Sequence, residues 1–156
     1  LATKRDFAPG KHRENMINCY EGLMNEGVVP IANEDDAVSL KMSMFSDNDE
    51  LASLVAELTQ ADALILLTDT DGLYTGHPDD DDSEKLAQVR HNQNVEKYVQ
   101  KNEKGEGEGR GGMKSKLKIA KETARKDIPT FIANGKRKNV IVELLEGKDV
   151  GTRFYA

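Results

Sequence analysis

Strand-length apolar runs alternate with segments of helical periodicity along this chain of 156 residues. The runs occupy residues 28–32, 63–67 and 129–133. Between them, apolar side chains recur three or four positions apart, the spacing of an amphipathic helix. Strands that alternate with helices are typical of the α/β class, whose sheet is largely parallel. The run 63–67 is apolar throughout, which favours a strand covered on both faces.

Each apolar run ends in a polar turn, at 33–36, 68–71 or 134–135. In open α/β sheets, ligands bind in a crevice outside the carboxyl ends of the strands. We therefore expect these three turns to share one crevice.

A glycine-rich loop precedes the third strand. Five of the eight residues at 105–112 are glycine, so the backbone there can approach a ligand closely. The pattern then turns helical at Met113, Leu117, Ala120 and Ala124. A glycine loop followed by a lysine-rich helix start is suited to binding phosphate. The loop is not a Walker A motif, and a flexible loop before a basic surface helix is the alternative interpretation.

The overall charge restricts the ligand. A net charge of −6 and a pI near 5.1 argue against a general nucleic-acid or anionic-membrane binder. The basic residues after the glycine loop therefore favour a small anionic ligand. We interpret the acidic run 79–82 as a solvated loop and predict no metal site from it, or from the spacing of the three histidines.

The single cysteine suggests a compartment. Cys19 cannot form an internal disulfide, and it lies on the apolar stripe of a helix predicted for 13–26, with Gly27 as its C-terminal glycine. We interpret Cys19 as a core residue in a reducing compartment. No apolar run approaches the roughly 18 residues of a membrane span, and no signal peptide is visible. We therefore expect a cytoplasmic protein.

A phosphate-binding loop with lysine and several Asp and Asn groups favours phosphoryl transfer over hydrolysis. Phosphoryl transfer depends mainly on positioning and on neutralising the charge of the transferred group. A carboxylate acceptor, with a pKa near about 4.3, is already ionised at neutral pH and needs no general base. The lack of a convincing nucleophile or histidine base in the sequence agrees with this chemistry.

Four ordered motifs resemble the amino acid kinase family. They are PIANEDDAV at 30–38, DNDEL at 47–51, LLTDTDGLYT at 66–75 and GGMKSK at 111–116. The resemblance implies a three-layer αβα sandwich with a mainly parallel sheet. Within the family, the motifs are most similar to those of members that transfer phosphate from ATP to the γ-carboxylate of L-glutamate, the first step of proline biosynthesis.

The resemblance also implies roles for single residues. Lys116 resembles the lysine that stabilises the transferring phosphoryl group, and Asp49 the carboxylate that organises the active-site lysines. The glutamate-binding positions are Asp36, Asn48 and, less directly, Asn33. Mg²⁺ would be held through the ATP phosphates, with no protein ligand assigned. The implied nucleotide contacts are Thr68, Asp69, Arg110, Gly111, Gly112, Met113, Lys114, Ser115 and Lys116. At Asp47, by contrast, we favour a helix-capping role, because Glu50 follows three residues later.

Parts of the family pattern have no match here. Family members begin with a strand and glycine turn that carry a second lysine, and neither Lys4 nor Lys11 matches it. Residues 1–156 thus resemble the C-terminal, nucleotide-binding part of a kinase domain, without the N-terminal part and without the RNA-binding-like C-terminal domain of some members. We expect this chain alone to be inactive and poorly stable, because missing strands expose sheet edges. For the whole protein, we expect a homo-oligomer.

Three alternatives stay open at this stage. The acceptor could be another substrate of the family, such as acetylglutamate, aspartate, carbamate or a nucleoside monophosphate. The chain could be a non-catalytic nucleotide-binding module, since the N-terminal lysine segment has no match. An RNA contact through 107–110 and the lysines that follow is disfavoured by the acidic composition.

Overall fold

The computed structural model describes residues 1–35, 45, 47–102 and 112–156, with the backbone alone at 100–102. These residues form two compact units, Leu1–Ala61 and Asp62–Ala156. The first unit contains α1 (Lys4–Phe7), α2 (Lys11–Asn25) and α3 (Asn48–Leu58). The second contains β1 (Leu64–Thr68), β2 (Gln88–Arg90), α4 (Glu96–Asn102), α5 (Met113–Ala124), β3 (Thr130–Asn134), α6 (Val140–Leu145) and β4 (Gly151–Tyr155).

The first unit has a small core around its N-terminal segment. Ala2, Phe45 and Leu51 are buried together, and Phe7 packs edge-on against Phe45 at 5.9 Å between ring centroids. The N–H of Ala2 donates to the carbonyl of Asn33 at 2.9 Å. These contacts tie the start of the chain to the segment that carries the first polar turn.

Both predicted helix boundaries in this unit are confirmed. α2 ends before Gly27, which takes φ +71°, the left-handed conformation that glycine supplies after a helix. Asp47 caps α3, since its side chain accepts a hydrogen bond of 2.9 Å from the N–H of Glu50.

The predicted buried strand at 28–32 is wrong for this structure. Residues 28–32 form no strand, and Val29 and Ile31 are 80% and 96% exposed. A strand is buried only when neighbouring strands pair with it, and the described part of the first unit contains none. The prediction of a buried Cys19 is wrong as well. Cys19 is exposed, and Tyr20 is the one buried residue of its helix.

The second unit is built on a four-stranded sheet with the order β1-β3-β4-β2. Two of its three strand pairings are parallel, β1 with β3 and β2 with β4, whereas β3 and β4 are antiparallel. The six-residue α6 spans about 9 Å, less than the length of a five-residue strand. β4 runs antiparallel to β3, so the connection through α6 returns the chain to the edge of the sheet at which β3 ends.

Helices pack on this sheet as the α/β prediction requires. In α5, Leu117, Ala120 and Ala124 are buried, as the sequence pattern predicts. In α6, Val140 and Leu144 form a core cluster with Ala133 of β3. No helix in the described ranges combines the length and apolar character that crossing a membrane would require.

Candidate functional site

The ends of three elements meet at one edge of the sheet in the second unit. Thr68 ends β1 and Asn134 ends β3, and the two residues are partners in the parallel pairing. α5 leads through a short turn into β3 and packs along it. The start of α5 at Gly112 therefore lies at the same edge. The predicted meeting of the 68–71 and 134–135 turns is confirmed, whereas the place of the 33–36 turn in the same crevice stays a prediction.

Hydrogen bonds join the two turns directly. The N–H of Gly135 donates to the carbonyl of Thr68 at 2.8 Å. The Asn134 amide donates to Asp71 Oδ1 at 2.9 Å, and Asn134 Oδ1 accepts from the N–H of Lys136 at 2.9 Å. Sequence analysis placed Asn134 in the crevice but did not show this bridging role, because nothing in the sequence pairs it with Asp71.

Two polar side chains, those of Thr68 and Asp69, lie next to this bridge in the 68–71 turn. Thr68 is half-buried, and its hydroxyl donates to Asp69 Oδ1 at 3.3 Å. Asp69 is exposed. Both side chains therefore lie at the sheet edge where a ligand can reach them.

A charge pair closes the far side of the 134–135 turn. Arg137 Nε donates to Glu143 Oε2 at 2.7 Å. This hydrogen bond is the main cause that lowers the pKa of Glu143 and raises the pKa of Arg137, and the negative charge of Asp71 raises the pKa of Arg137 further. The pair holds the turn against the start of α6.

The start of α5 has the features of an anion site. Gly112 occupies the N-cap position and provides no side-chain cap, and the first turn contains no acidic residue. Lys114 is exposed and Lys116 is half-buried. N–H groups at a helix start and nearby positive charges both stabilise an anion. Met113 and Ser115 occupy the same turn, whereas Arg110 and Gly111 lie outside the described residues.

The residues assigned to glutamate and to lysine organisation lie in the first unit. Asn48 and Asp49 open α3; Asn48 is exposed and Asp49 half-buried. Asn33 is exposed beside the bridge between Ala2 and Glu34. Asp36 lies outside the described residues.

Glu34, which sequence analysis did not single out, ties these positions together. Its carboxylate accepts a hydrogen bond of 3.0 Å from the N–H of Phe45, two residues before the α3 cap. This hydrogen bond links the residue after Asn33 to the residue that lies two positions before the α3 cap. The sequence carried no signal for this contact, because it joins residues 11 positions apart.

Carboxylates do not gather into a metal site in the described ranges. No group of three or more His, Cys, Asp or Glu residues there could hold a metal ion. Asp69 and Asp71 supply oxygen atoms at the sheet edge, but Asp71 Oδ1 already accepts from Asn134.

Comparison with known proteins identifies the family. Residues 1–134 match the amino acid kinase family. The chain belongs to the amino acid kinase family. Curated relatives named glutamate 5-kinase match essentially its whole length. The protein of Bacteroides thetaiotaomicron is 42% identical over 99% of the chain and 43% of its own length. That of Alkaliphilus metalliredigens is 38% identical over 100% of the chain and 59% of its own length.

Two solved structures share the fold of this chain. UMP kinase from Ureaplasma parvum superimposes with a TM-score of 0.61 and 18% identity, over 90% of this chain and 53% of that one. Carbamate kinase from Giardia lamblia, bound to AMP-PNP, gives a TM-score of 0.57 and 21% identity, over 89% and 48%. The chain spans about half the length of these relatives.

Proposed function

We propose that the protein transfers the γ-phosphoryl group of ATP to the γ-carboxylate of L-glutamate, giving L-glutamyl 5-phosphate and ADP. This reaction would be the first step of proline biosynthesis. The observation that carries the proposal is the match of the whole chain to relatives named glutamate 5-kinase, at 34–42% identity. The features of an anion site at the start of α5 support the proposal.

In this proposal, the second unit binds the nucleotide. Thr68 and Asp69 contact ATP from the end of β1, and residues 110–116 surround its phosphates at the start of α5. The start of α5, where glycine is the N-cap residue, stabilises negative charge through its N–H groups. Lys116, half-buried in the first turn, neutralises the charge that develops on the transferring phosphoryl group.

The acceptor side of the proposal rests on the roles that the family resemblance implies. Asp36, Asn48 and Asn33 bind glutamate, and Asp49 organises the lysines of the active site. The acceptor carboxylate is ionised at neutral pH, so its oxygen attacks the γ-phosphorus without a general base. The bond from the γ-phosphorus to the β–γ bridging oxygen breaks, and ADP leaves with that oxygen.

Further parts of the proposal concern the whole protein. Mg²⁺ accompanies ATP and is held through its phosphates. Residues 1–156 form the C-terminal, nucleotide-binding part of the kinase domain, and the protein works in the cytoplasm as a homo-oligomer. In the experiments below, "extended protein" means this chain preceded by the N-terminal segment that the family resemblance implies.

Substitution of Lys116 tests the proposed reaction. In the extended protein, Lys116→Ala should reduce glutamate-dependent ADP release by at least about a hundredfold, as expected when a charge acting on the transition state is removed. Lys126→Ala is the matched control, because this exposed lysine lies beyond the other end of α5. Near-normal turnover by folded Lys116→Ala would contradict the role of Lys116.

A panel of acceptors tests the substrate. Glutamate should support turnover by the extended protein, whereas acetylglutamate, aspartate, carbamate and UMP should not. Turnover with one of the other acceptors in place of glutamate would keep the kinase chemistry and overturn the substrate assignment.

A further inference from the structure

The chain between β1 and β2 forms a hairpin at residues 73–86. The N–H of Leu86 donates to the carbonyl of Leu73 at 2.8 Å, and the N–H of Thr75 donates to the carbonyl of Glu84 at 3.0 Å. Near the tip, the N–H of Gly76 donates to the hydroxyl of Ser83 at 3.1 Å. We call this segment the 73–86 hairpin. It follows directly from the 68–71 turn and Gly72, which together we call the 68–72 turn. The position of the hairpin therefore affects the proposed nucleotide contacts.

One buried hydroxyl fixes the base of the 73–86 hairpin. Thr152 of β4 is fully buried. Its Oγ1 accepts a hydrogen bond of 2.8 Å from the N–H of Leu73 and donates one of 2.6 Å to the carbonyl of Leu86. A hydroxyl is both donor and acceptor, so it satisfies one backbone group on each arm. Without it, a buried N–H and a C=O lose their partner.

The same hydroxyl lies against the end of the 68–72 turn. Gly72 has φ +137°, and a Cβ built there would be 2.6 Å from Thr152 Oγ1. The backbone of Gly72 therefore approaches Thr152 more closely than any other residue type allows. At its other end, the turn is held by the hydrogen bond from Gly135 to Thr68. Thr152 and Gly135 thus fix the two ends of the segment that carries Asp69.

We propose that Thr152 is a positioning residue for the nucleotide site. Its hydroxyl fixes the 73–86 hairpin and the end of the 68–72 turn, and so sets where Thr68 and Asp69 meet ATP. Thr152 acts through these backbone groups, since its own side chain is buried. The inference rests on the proposed function, which assigns Thr68 and Asp69 to the nucleotide.

The test removes the hydroxyl and keeps the shape of the side chain. In the extended protein, Thr152→Val should weaken equilibrium binding of Mg-ATP about tenfold and raise the KM for ATP equally, because the two hydrogen bonds that fix the 73–86 hairpin are lost. The KM for glutamate should change by less than about twofold, since that substrate binds elsewhere in the proposal. Thr152→Ser keeps the hydroxyl and should bind Mg-ATP as the unsubstituted protein does.

A second buried threonine provides the control. Thr130 is also fully buried, but its hydroxyl donates to the carbonyl of Ile128 at 3.2 Å, within the turn that leads into β3. Thr130→Val should lower the melting temperature without changing Mg-ATP affinity. Should Thr152→Val fail to fold, Thr152→Cys is the milder variant, and its affinity should lie between those of the Val and Ser variants, because a thiol is a weak donor and acceptor.

The outcomes separate this inference from the proposed function. If the unsubstituted extended protein binds Mg-ATP and folded Thr152→Val binds it equally well, the positioning role is wrong and the proposed function stands. If Thr130→Val weakens binding as much as Thr152→Val, the effect is one of general stability and the role is again wrong. If the unsubstituted protein binds no Mg-ATP, the proposed function fails and the inference fails with it.

Discussion

The side-chain amide of Asn134 donates a hydrogen bond of 2.9 Å to the carboxylate of Asp71. The two residues lie 63 positions apart, Asn134 at the end of β3 and Asp71 in the turn that follows β1. The same Asn134 side chain accepts a hydrogen bond from the backbone of Lys136. One asparagine thereby joins the two turns that form the sheet edge of the proposed nucleotide site.

Removal of this bridge should destabilise the second unit slightly. Asn134→Ala loses two solvent-exposed hydrogen bonds, so the free energy of unfolding of the extended protein should fall by about 1 kcal/mol. Urea denaturation measures the difference. Asn92→Ala, in the exposed turn after β2, is the matched control and should change stability by less than about 0.5 kcal/mol. Equal stability of the two variants would contradict the bridging role.

Substitution of Gly72 should have a larger effect. Gly72→Ala places a Cβ 2.6 Å from Thr152 Oγ1, in a backbone conformation that disfavours a side chain. We therefore expect the free energy of unfolding to fall by more than about 2 kcal/mol. Gly147→Ala separates the two causes, because Gly147 has φ +80° but nothing within 4 Å of its added Cβ. Its free energy of unfolding should fall by about 1 kcal/mol. Thermal unfolding of the two variants measures both losses. If both variants were equally stable, the close contact with Thr152 would be refuted.

The cap of α3 gives a prediction for the first unit. Asp47→Ala removes the hydrogen bond to the N–H of Glu50 and should lower the free energy of unfolding by about 1 kcal/mol. Asp47→Asn keeps an oxygen acceptor at the same position and should retain most of the stability. Denaturant unfolding of both variants measures the difference, and an Asn variant as unstable as the Ala variant would argue against capping.

The ion pair between Lys121 and Glu96 predicts a dependence of stability on pH. The hydrogen bond from Lys121 lowers the pKa of Glu96 below its ordinary value, although partial burial opposes this. A lowered pKa means that the pair stabilises the folded state above the unfolded pKa, and that this contribution disappears as pH falls through the folded pKa. At neutral pH, the free energy of unfolding should therefore be higher for the unsubstituted protein than for Glu96→Gln. This difference should vanish in acid.

Glu122→Gln is the control for this measurement, because Glu122 is exposed on the same helix, α5. Denaturant unfolding at a series of pH values measures the change in the free energy of unfolding that each variant causes. The change caused by Glu122→Gln should depend less on pH than the change caused by Glu96→Gln. A Glu96→Gln difference that is constant from neutral pH to pH 3 would contradict the role of the ion pair.

Much of the second unit could be predicted from local sequence pattern. The helix period at Leu117, Ala120 and Ala124 gave the buried face of α5, and the runs at 63–67 and 129–133 gave β1 and β3 within one residue. These features depend on side-chain periodicity within a single element. The shared edge of the 68–71 and 134–135 turns followed from the general geometry of parallel strands.

Features that depend on distant neighbours could not be predicted. The run 28–32 has the composition of a buried strand, but burial requires partner strands, and Val29 and Ile31 are exposed here. The contact of Thr152 with Leu73 joins residues 79 positions apart, which no local pattern shows. The roles of Lys116 and Asp49 came from family resemblance and stay predictions.

The central claim is most directly tested by measuring glutamate-dependent ADP release with Mg-ATP, with the acyl phosphate trapped as a hydroxamate. The assay compares this chain of 156 residues with the extended protein. We predict hydroxamate formation and ADP release by the extended protein and neither by this chain alone. An extended protein that binds Mg-ATP but forms no hydroxamate with glutamate would contradict the proposed reaction.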